Sequence, residues 1–245
     1  MTQTTTSTVT PPTTGTPTPA VAPAATIRTM IVCVPDGLPT EVLASTRQLD
    51  RHLGVQGTVS PRFWAKPLYL WQRRQMFDLR KGRPTYCAGG PTRLLDLVGM
   101  RHAAGVGAGI RYQLWARVVH GTRPATPWPA FVQRHLADQA KYPLAKAEAD
   151  FAAQPRVLAM AMHNAAAYGA GRVDVYELEM LQAGPVAYQH YHALTAVAGD
   201  AVLDTEGAKL QPASDAMADR VTYLDQATRY LDSLEESQRI LAVAL

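Results

Sequence analysis

Proline and glycine residues divide the chain from residue 126 to residue 199 into segments of helical length. Proline is favoured in the first turn of a helix, and glycine is favoured just after its last residue. Predicted starts lie at Thr126-Pro127, Pro143 and Pro155, and predicted ends at Gly169, Gly184-Pro185 and Gly199. Helices joined by such short connections commonly pack as antiparallel neighbours. The spacing therefore predicts a C-terminal helical bundle over residues 124–245.

The clearest amphipathic helix is predicted near residue 225. Apolar or small side chains recur there at alternating spacings of three and four residues, and acidic side chains lie off that seam. The seam consists of Met217, Val221, Leu224, Thr228, Leu231 and Leu234. Two interpretations follow: the helix packs on its own domain, or it forms a homodimer through the seam. The shortness of the repeat favours the first.

The residues from 27 to 123 predict a smaller α+β section. Thr29–Val34 is short, β-branched and followed by a Pro-Asp-Gly turn, as a buried strand would be. Thr40 can cap a helix that continues to Leu53, and Pro84–Ala88 predicts a second strand before a further helix. Two strand-then-helix steps are too few for a doubly wound sheet, so the expected fold class is mainly α with a small mixed part.

Residues 1–26 predict a disordered Thr/Pro-rich tail. They contain eleven Thr, five Pro and no charged residue, and no apolar periodicity offsets the entropy of ordering them. Neither the tail nor any later stretch has a secretory pattern or the apolar run of about 18 residues that a membrane span needs. We therefore expect a soluble, cytoplasmic protein with a disordered tail (1–26), a basic α+β section (27–123) and an acidic helical bundle (124–245).

The two cysteines, Cys33 and Cys87, lie in neither a C-x-x-C pair nor a Cys/His cluster. This pattern argues against a disulfide framework and a zinc knuckle. Patterns of catalytic spacing, such as H-E-x-x-H, G-x-S-x-G and the P-loop, do not occur. The sequence therefore predicts buried thiols, no metal and no cofactor.

Charge is distributed unevenly along the chain. Residues 47–123 contain fourteen Lys or Arg against three acidic residues, whereas residues 124–245 contain nine against fifteen. A basic stretch next to an acidic one indicates a polyanionic partner for the basic part. The alternative is that the two parts neutralise each other within the fold or across a dimer interface.

Cationic and aromatic side chains are interleaved in the first half of the basic stretch. Guanidinium and ammonium groups neutralise phosphates, and aromatic faces accept stacked bases, so the mixture suits DNA or RNA. The cations are Arg62, Lys66, Arg73, Arg74, Arg80, Lys81 and Arg83, and the aromatics are Phe63, Trp64, Tyr69, Trp71, Phe77 and Tyr86. A competing interpretation is a helix over Leu68–Leu79 with its aromatics in the core and its arginines in solvent.

Residues 100–124 contain an Ala-Gly-Val turn followed by Ile110, Leu114 and Val118 at intervals of four. Over about a tenth of the chain this pattern resembles a repressor-type helix-turn-helix, whose second helix enters the DNA major groove. The resemblance implies an exposed, DNA-reading side formed by Arg111, Tyr112, Trp115 and Arg117. Three glycines within five residues depart from the motif, and Gly105-x-Gly107-x-Gly109 also allows a phosphate-binding loop.

His190-Tyr191-His192 places two imidazoles around one bulky residue. The pattern resembles the His-hydrophobic-His pair of nucleases that act in replication and conjugation. The resemblance implies that both histidines are metal ligands and that Tyr223 or Tyr230 is the nucleophile. The neighbouring sequence predicts a helix, on which positions i and i+2 diverge by about 200° and cannot share an ion.

The leading functional prediction is non-catalytic binding of nucleic acid, DNA rather than RNA, through the basic middle of the chain. The alternative is a helical scaffold protein that self-associates. A third interpretation, a metal-dependent nuclease, depends on the His-x-His pair and conflicts with the helix predicted there.

Overall fold

The computed structural model describes residues 25–39, 43 and 46–245. Within this part of the chain the fold contains eight α-helices and eight strands. It is mainly α with a small sheet, as predicted. The predicted disordered tail, apart from its last two residues, and the predicted helix start at Thr40 lie outside the described residues.

A mixed sheet of six strands forms the centre of the fold. Its spatial order is β2 (Thr58–Val59), β8 (Arg239–Ala244), β1 (Thr29–Val34), β6 (Ala201–Leu203) and β7 (Lys209–Leu210), with β5 (Gly89–Pro91) also paired to β8. β1 is parallel to β6 and antiparallel to β8, so that Met30 lies between Ala201 and Val243. A separate two-stranded sheet joins β3 (Phe63–Trp64) to β4 (Tyr86–Cys87).

Both faces of the main sheet are buried, which explains why its two longest strands are apolar without alternation. In β1, Ile31 and Cys33 belong to the core on one face, and Met30 and Val32 belong to the core on the other. β8 is divided in the same way, and its residues 240–243 are fully buried. A strand covered on both faces has no polar side, so only its apolar, β-branched composition marks it in the sequence.

The described part of the chain contains eight α-helices, of which four pack on the sheet. The eight are α1 (Thr46–Leu53), α2 (Leu97–Val118), α3 (Trp128–Ala137), α4 (Leu144–Ala152), α5 (Pro155–Ala166), α6 (Leu178–Gln182), α7 (Pro185–Ala198) and α8 (Met217–Ser233). Prolines begin or directly precede α3, α4, α5 and α7, as predicted. One face of the sheet is covered by α7, α8 and the N-terminal end of α2. The other face is covered by α1. The rest of α2 packs with α5, α6 and α7 around a third core. Among the described helices, none combines the length and the apolar character needed to cross a membrane.

One continuous helix replaces the predicted helix-turn-helix. α2 runs without a break through Gly105, Gly107 and Gly109, so neither the turn nor the phosphate-binding loop forms, and both predictions are wrong. The physical reason is helix packing: a Cβ at Gly109 would lie 3.1 Å from the Gln189 side chain of α7, closer than ordinary van der Waals contact. Gly109 therefore allows α2 and α7 to approach closely, and a glycine used for close approach looks the same in sequence as one used for a turn.

A separate C-terminal bundle is not confirmed, because strands from both halves of the chain form the main sheet. β6, β7 and β8 all come from residues 201–244 and pair around β1. The boundary at residue 123 therefore separates regions of different charge, while the sheet contains strands from both sides of it.

The amphipathic seam of α8 packs within its own chain. Leu224 and Leu231 are buried in the core on one face of the sheet, and Arg101 of α2 forms an ion pair with Asp232 of α8 at 2.7 Å. The helix therefore packs on its own domain, the first of the two interpretations. The homodimer stays a prediction, and Val221, 44% exposed, is the seam residue most accessible to a partner.

Candidate nucleic-acid interface

The segment between β3 and β4 is held by buried side chains at its ends and in its middle. Phe63 and Cys87 are fully buried on the paired strands, and Met76 and Phe77 are buried halfway along. The backbone N–H of Phe77 also donates to the Gly89 carbonyl oxygen at 2.9 Å. Two loops therefore leave the core, one before Met76 and one after Phe77.

The first loop presents aromatic and cationic side chains to solvent. Tyr69 and Trp71 are 71% and 62% exposed, and Arg73 and Arg74 follow on an exposed 3₁₀ turn. Gln72 holds the loop, because its Oε1 accepts a hydrogen bond from the Tyr69 backbone N–H at 2.8 Å. The rings of Tyr69 and Trp71 are parallel to within 2°, with centroids 6.5 Å apart. Both rings are therefore available for stacking.

The second loop is a short hairpin with cations at its tip. The Arg80 N–H donates to the Tyr86 carbonyl oxygen at 2.7 Å, and the Tyr86 N–H donates back to Arg80 at 3.1 Å. Lys81 and Arg83 lie at the exposed tip, and Tyr86 itself is exposed. We define the exposed side chains of the two loops as the basic–aromatic surface: Lys66, Tyr69, Trp71, Arg73, Arg74, Arg80, Lys81, Arg83 and Tyr86.

The helix of the competing interpretation is absent from residues 68–79 in the structure. A 3₁₀ turn at Gln72–Gln75 takes its place. Phe77 is buried, as that interpretation predicts, but Tyr69 and Trp71 are not. Three of the six aromatics interleaved with the cations, these two and Tyr86, are therefore on the surface.

The cations of the basic–aromatic surface are largely free of the protein's own carboxylates. Within the described residues, Arg80 alone among them lies within 4.0 Å of a carboxylate, that of Asp78 at 2.8 Å. The Arg101–Asp232 pair is the one ion pair that joins residues 47–123 to the acidic C-terminal part, as far as the described chain extends. Close ion pairs between the two charged regions are therefore few in the described chain, and neutralisation across a dimer interface stays a prediction.

Two of the predicted nucleic-acid-binding cations bond to the protein's own backbone. The Nη2 of Arg62 donates to the carbonyl oxygens of Thr195 (2.8 Å) and Ala196 (2.9 Å) at the end of α7, and burial lowers the pKa of its guanidinium. A cation there hydrogen-bonds carbonyl oxygens in the last turn of α7 and complements the helix dipole, so Arg62 has a structural role. Lys66 donates to the Arg93 carbonyl oxygen at 2.9 Å but remains exposed.

The four residues predicted on the reading helix do not form one exposed side. Trp115 is 5% exposed in the third core, and the partly buried Tyr112 packs on it with ring centroids 5.4 Å apart. Arg111 and Arg117 are exposed. The first residue of α2 lies next to the small sheet, and both arginines are more than about 20 Å from that residue along the helix. Burial of Trp115 removes it from any surface that a nucleic acid can reach.

His190 and His192 do not converge on a metal. Both lie on α7, where His190 is exposed and His192 is partly buried toward Glu177. Each candidate nucleophile, Tyr223 and Tyr230, is hydrogen-bonded to a backbone group of the chain. Among the residues that the structure describes, no three His, Cys, Asp or Glu side chains are grouped so that they could hold an ion. The nuclease interpretation therefore has no metal site in this part of the chain.

Cys33 and Cys87 are buried thiols, as predicted. They are 1% and 0% exposed, and neither is in a disulfide. Burial raises the pKa of Cys33 to about 11 and that of Cys87 to about 12. The thiolate is the reactive form of cysteine, so both side chains are inert near neutral pH.

A cleft of about 270 Å³ lies between α2, α7 and the segment that leads into α6. It is lined by Arg111, Leu114, Arg172, Val173, Asp174, Glu177, Leu181, Tyr188 and His192. The sequence patterns predicted other roles for Arg111 and His192 and gave no prediction of a cleft. Tyr188 and His192 are four residues apart on α7 and so share one face, which is the one signal in the sequence that pointed to it.

Glu177 is the centre of a polar network in this cleft. One carboxylate oxygen accepts a hydrogen bond from the Tyr188 hydroxyl at 2.5 Å, and the other lies 3.4 Å from His192 Nε2. Burial acts to raise the pKa of Glu177, but the proximity of His192, the Tyr188 hydroxyl and the Arg111 charge together outweigh it, so the pKa lies below its ordinary value. Burial, followed by the Glu177 carboxylate, raises the pKa of Tyr188, so its hydroxyl stays protonated and donates.

Protonation of Glu177 is expected to weaken the junction of α6 and α7. Its pKa in the folded chain lies below the ordinary value of 4.5, so the unfolded chain takes up the proton first as the pH falls. The stabilisation is therefore present above pH 4.5 and is lost as the pH falls through the folded-state pKa. Urea denaturation should show that a change from neutral to acidic pH lowers the free energy of unfolding more in the wild type than in Glu177→Gln. Identical pH profiles would contradict this prediction.

No family model, curated protein or solved structure matches this chain. Since a fold by itself does not imply a function, the basic–aromatic surface and the cleft are the features from which function is inferred.

Proposed function

We propose that the protein binds nucleic acid, single-stranded DNA in preference to duplex, through the basic–aromatic surface. The proposal depends on one observation, that exposed aromatic rings lie beside exposed cations which, in the described chain, have almost no carboxylate partners. Cations bind phosphates with release of counterions, and exposed rings stack on bases without regard to sequence. Each property alone is common on protein surfaces, and their combination on two anchored loops is what a single strand requires.

The ring pair of Tyr69 and Trp71 supports the preference for a single strand. The rings are exposed and parallel, and their centroids are 6.5 Å apart. An unpaired base can stack on either ring. A base in a duplex is already stacked and paired, and extracting it costs about a few kcal/mol.

Fluorescence anisotropy with a labelled oligonucleotide of about 16 nucleotides tests the proposal. At about 0.1 M salt the single strand is expected to bind more tightly than a duplex of the same sequence, and its affinity should fall as salt is raised. The double substitution Tyr69→Ala and Trp71→Ala is expected to weaken single-strand binding roughly 10- to 100-fold, because stacking on one base contributes about 1–3 kcal/mol.

Tyr168 and Tyr176 provide a matched control for this experiment. They are 90% and 84% exposed and lie outside the basic–aromatic surface. Their double substitution to Ala should leave the affinity unchanged. Equal losses in the two double variants, or no binding of either DNA form at about 0.05 M salt, would contradict the proposal. An RNA strand of the same sequence is included as a third probe, and tighter binding of RNA would overturn the preference for DNA.

A second candidate function is self-association without nucleic-acid binding. Val98, Val106 and Ile110 of α2 are 76%, 51% and 65% exposed, and their spacings of eight and four residues place them near one face of the helix. This stripe favours the scaffold alternative. Sedimentation at about 0.15 M salt with and without oligonucleotide separates the two candidates, because a scaffold forms a stable oligomer whether or not DNA is present.

A further inference from the structure

The cleft between α2, α7 and the segment before α6 is lined by charged groups of both signs. Within the described residues, neither Arg111 nor Arg172 lies within 4.0 Å of a carboxylate. Asp174 accepts a hydrogen bond from the Tyr176 N–H at 2.8 Å through one oxygen, which leaves the other oxygen for a further contact. Together with Glu177, two positive and two negative groups therefore line one cavity.

A buried ring nitrogen in the same cleft makes no hydrogen bond. His192 Nε2 is shielded from solvent, and its distance of 3.4 Å from the Glu177 carboxylate exceeds that of an ordinary N–H···O bond. His192 therefore leaves part of the acceptor capacity of Glu177 unused, because a carboxylate accepts several hydrogen bonds. An ammonium group in the cleft can donate to this carboxylate.

We propose that the cleft binds a small zwitterion of the amino-acid class. Its carboxylate binds the guanidinium groups of Arg111 and Arg172, which suit planar carboxylates because their donors are arranged as a fork. Its ammonium group binds the carboxylates that line the cleft, those of Glu177 and Asp174. The site is separate from the basic–aromatic surface and does not depend on nucleic-acid binding.

The size, lining and charge of the cleft suit this class of ligand. A volume of about 270 Å³ accommodates an amino acid. Leu114, Val173 and Leu181 supply an apolar part of the lining, which favours an uncharged ligand side chain. A phosphate or a dicarboxylate would bring additional negative charge next to Glu177 and Asp174, where like charges repel.

Titration calorimetry on the full chain with individual L-amino acids tests the proposal. At least one is expected to bind with a Kd below about 1 mM. Acetate, methylammonium and inorganic phosphate, which each carry a single type of charge, should bind at least about tenfold more weakly. Arg172→Gln and Glu177→Gln should each weaken binding of the best amino acid by about tenfold or more, the effect of losing one charge-assisted hydrogen bond.

Arg117→Gln is the matched control, because Arg117 is exposed on α2 and does not line the cleft. It should leave the Kd unchanged. Arg172 is also exposed, so Arg172→Gln keeps the test valid if Glu177→Gln fails to fold. Three results would each overturn the proposal: no amino acid binds the wild type, phosphate or acetate binds as tightly as the best amino acid, or Arg172→Gln binds like the wild type.

Discussion

Substituting Arg73, Arg74, Lys81 and Arg83 together by Ala is expected to weaken binding of single-stranded DNA roughly 10²- to 10³-fold at about 0.1 M salt. All four side chains are exposed, and in the described chain none forms an ion pair. Each phosphate neutralised on a single strand contributes about 0.7 to the slope of log affinity against log salt. Loss of four contacts reduces that slope by about 3. If the two proteins bind equally at about 1 M salt, their affinities differ by up to about 10³-fold at about 0.1 M salt, which is one decade lower.

A salt titration of the affinity measures this effect directly. The matched control removes the same formal charge elsewhere, through four other exposed cations: Arg47, Arg51, Arg123 and Lys146. Their combined substitution by Ala should change the slope by less than about 1. If both quadruple variants lost the same affinity for single-stranded DNA, the cause would be the change in net charge and not the loss of particular contacts. An unchanged slope in the first variant would remove those four residues from the interface.

Replacing Gly89 by Ala is expected to destabilise the fold by about 3 kcal/mol or more. A Cβ at this position would lie 1.9 Å from the Ile240 carbonyl oxygen and 2.9 Å from the Leu241 Cα. Both atoms belong to the backbone of β8, which cannot rotate aside as a flexible side chain can. The added methyl group must therefore separate β5 from β8, and the Phe77 N–H that bonds to Gly89 is displaced with it. The midpoint of urea denaturation measures the loss.

Gly105→Ala is the control that shows whether the contacts at Gly89 matter. A Cβ at Gly105 would lie 3.8 Å from the Gln189 carbonyl oxygen and 3.9 Å from the Ala193 Cβ, which is ordinary van der Waals contact. Alanine also favours the helix over glycine by up to about 1 kcal/mol. The variant should therefore be as stable as the wild type or slightly more stable. A comparable loss of stability in the two variants would show that the close approach at Gly89 is not the cause.

Signals confined to a few neighbouring residues predicted single elements well. β1 occupies Thr29–Val34, as its β-branched run indicated, and α5 and α7 begin at Pro155 and Pro185. These boundaries depend on the fixed φ of proline and on the preference of branched side chains for extended backbone, both of which act locally.

The pairing of distant segments could not be predicted in this way. β8 lies opposite β1 in register, with Ile31 facing Ala242, yet more than 200 residues separate the two strands. Both strands are apolar along their length, so no alternation marks a register or a partner. Gly109 presents the same difficulty, because only the position of Gln189 on another helix decides that it serves close packing.

The candidate site shows the same limit. Tyr69 and Phe77 are both aromatic residues near arginines, and only the contacts of Phe77 with the sheet decide that one is exposed and the other buried. Arg62 and Arg73 are equally similar in sequence, but the end of α7 binds the first. The cleft was not predicted because its charges come from three separate segments with no fixed spacing.

The position of β8 has a consequence for synthesis of the protein. β1 is translated early, but its antiparallel neighbour, residues 239–244, leaves the ribosome more than 200 residues later. Until then one edge of β1 is unpaired, so its sheet closes only after most of these residues have emerged. Such late, long-range pairing makes folding slow and vulnerable to aggregation. Chaperones that shield apolar strands are therefore expected to hold the growing chain.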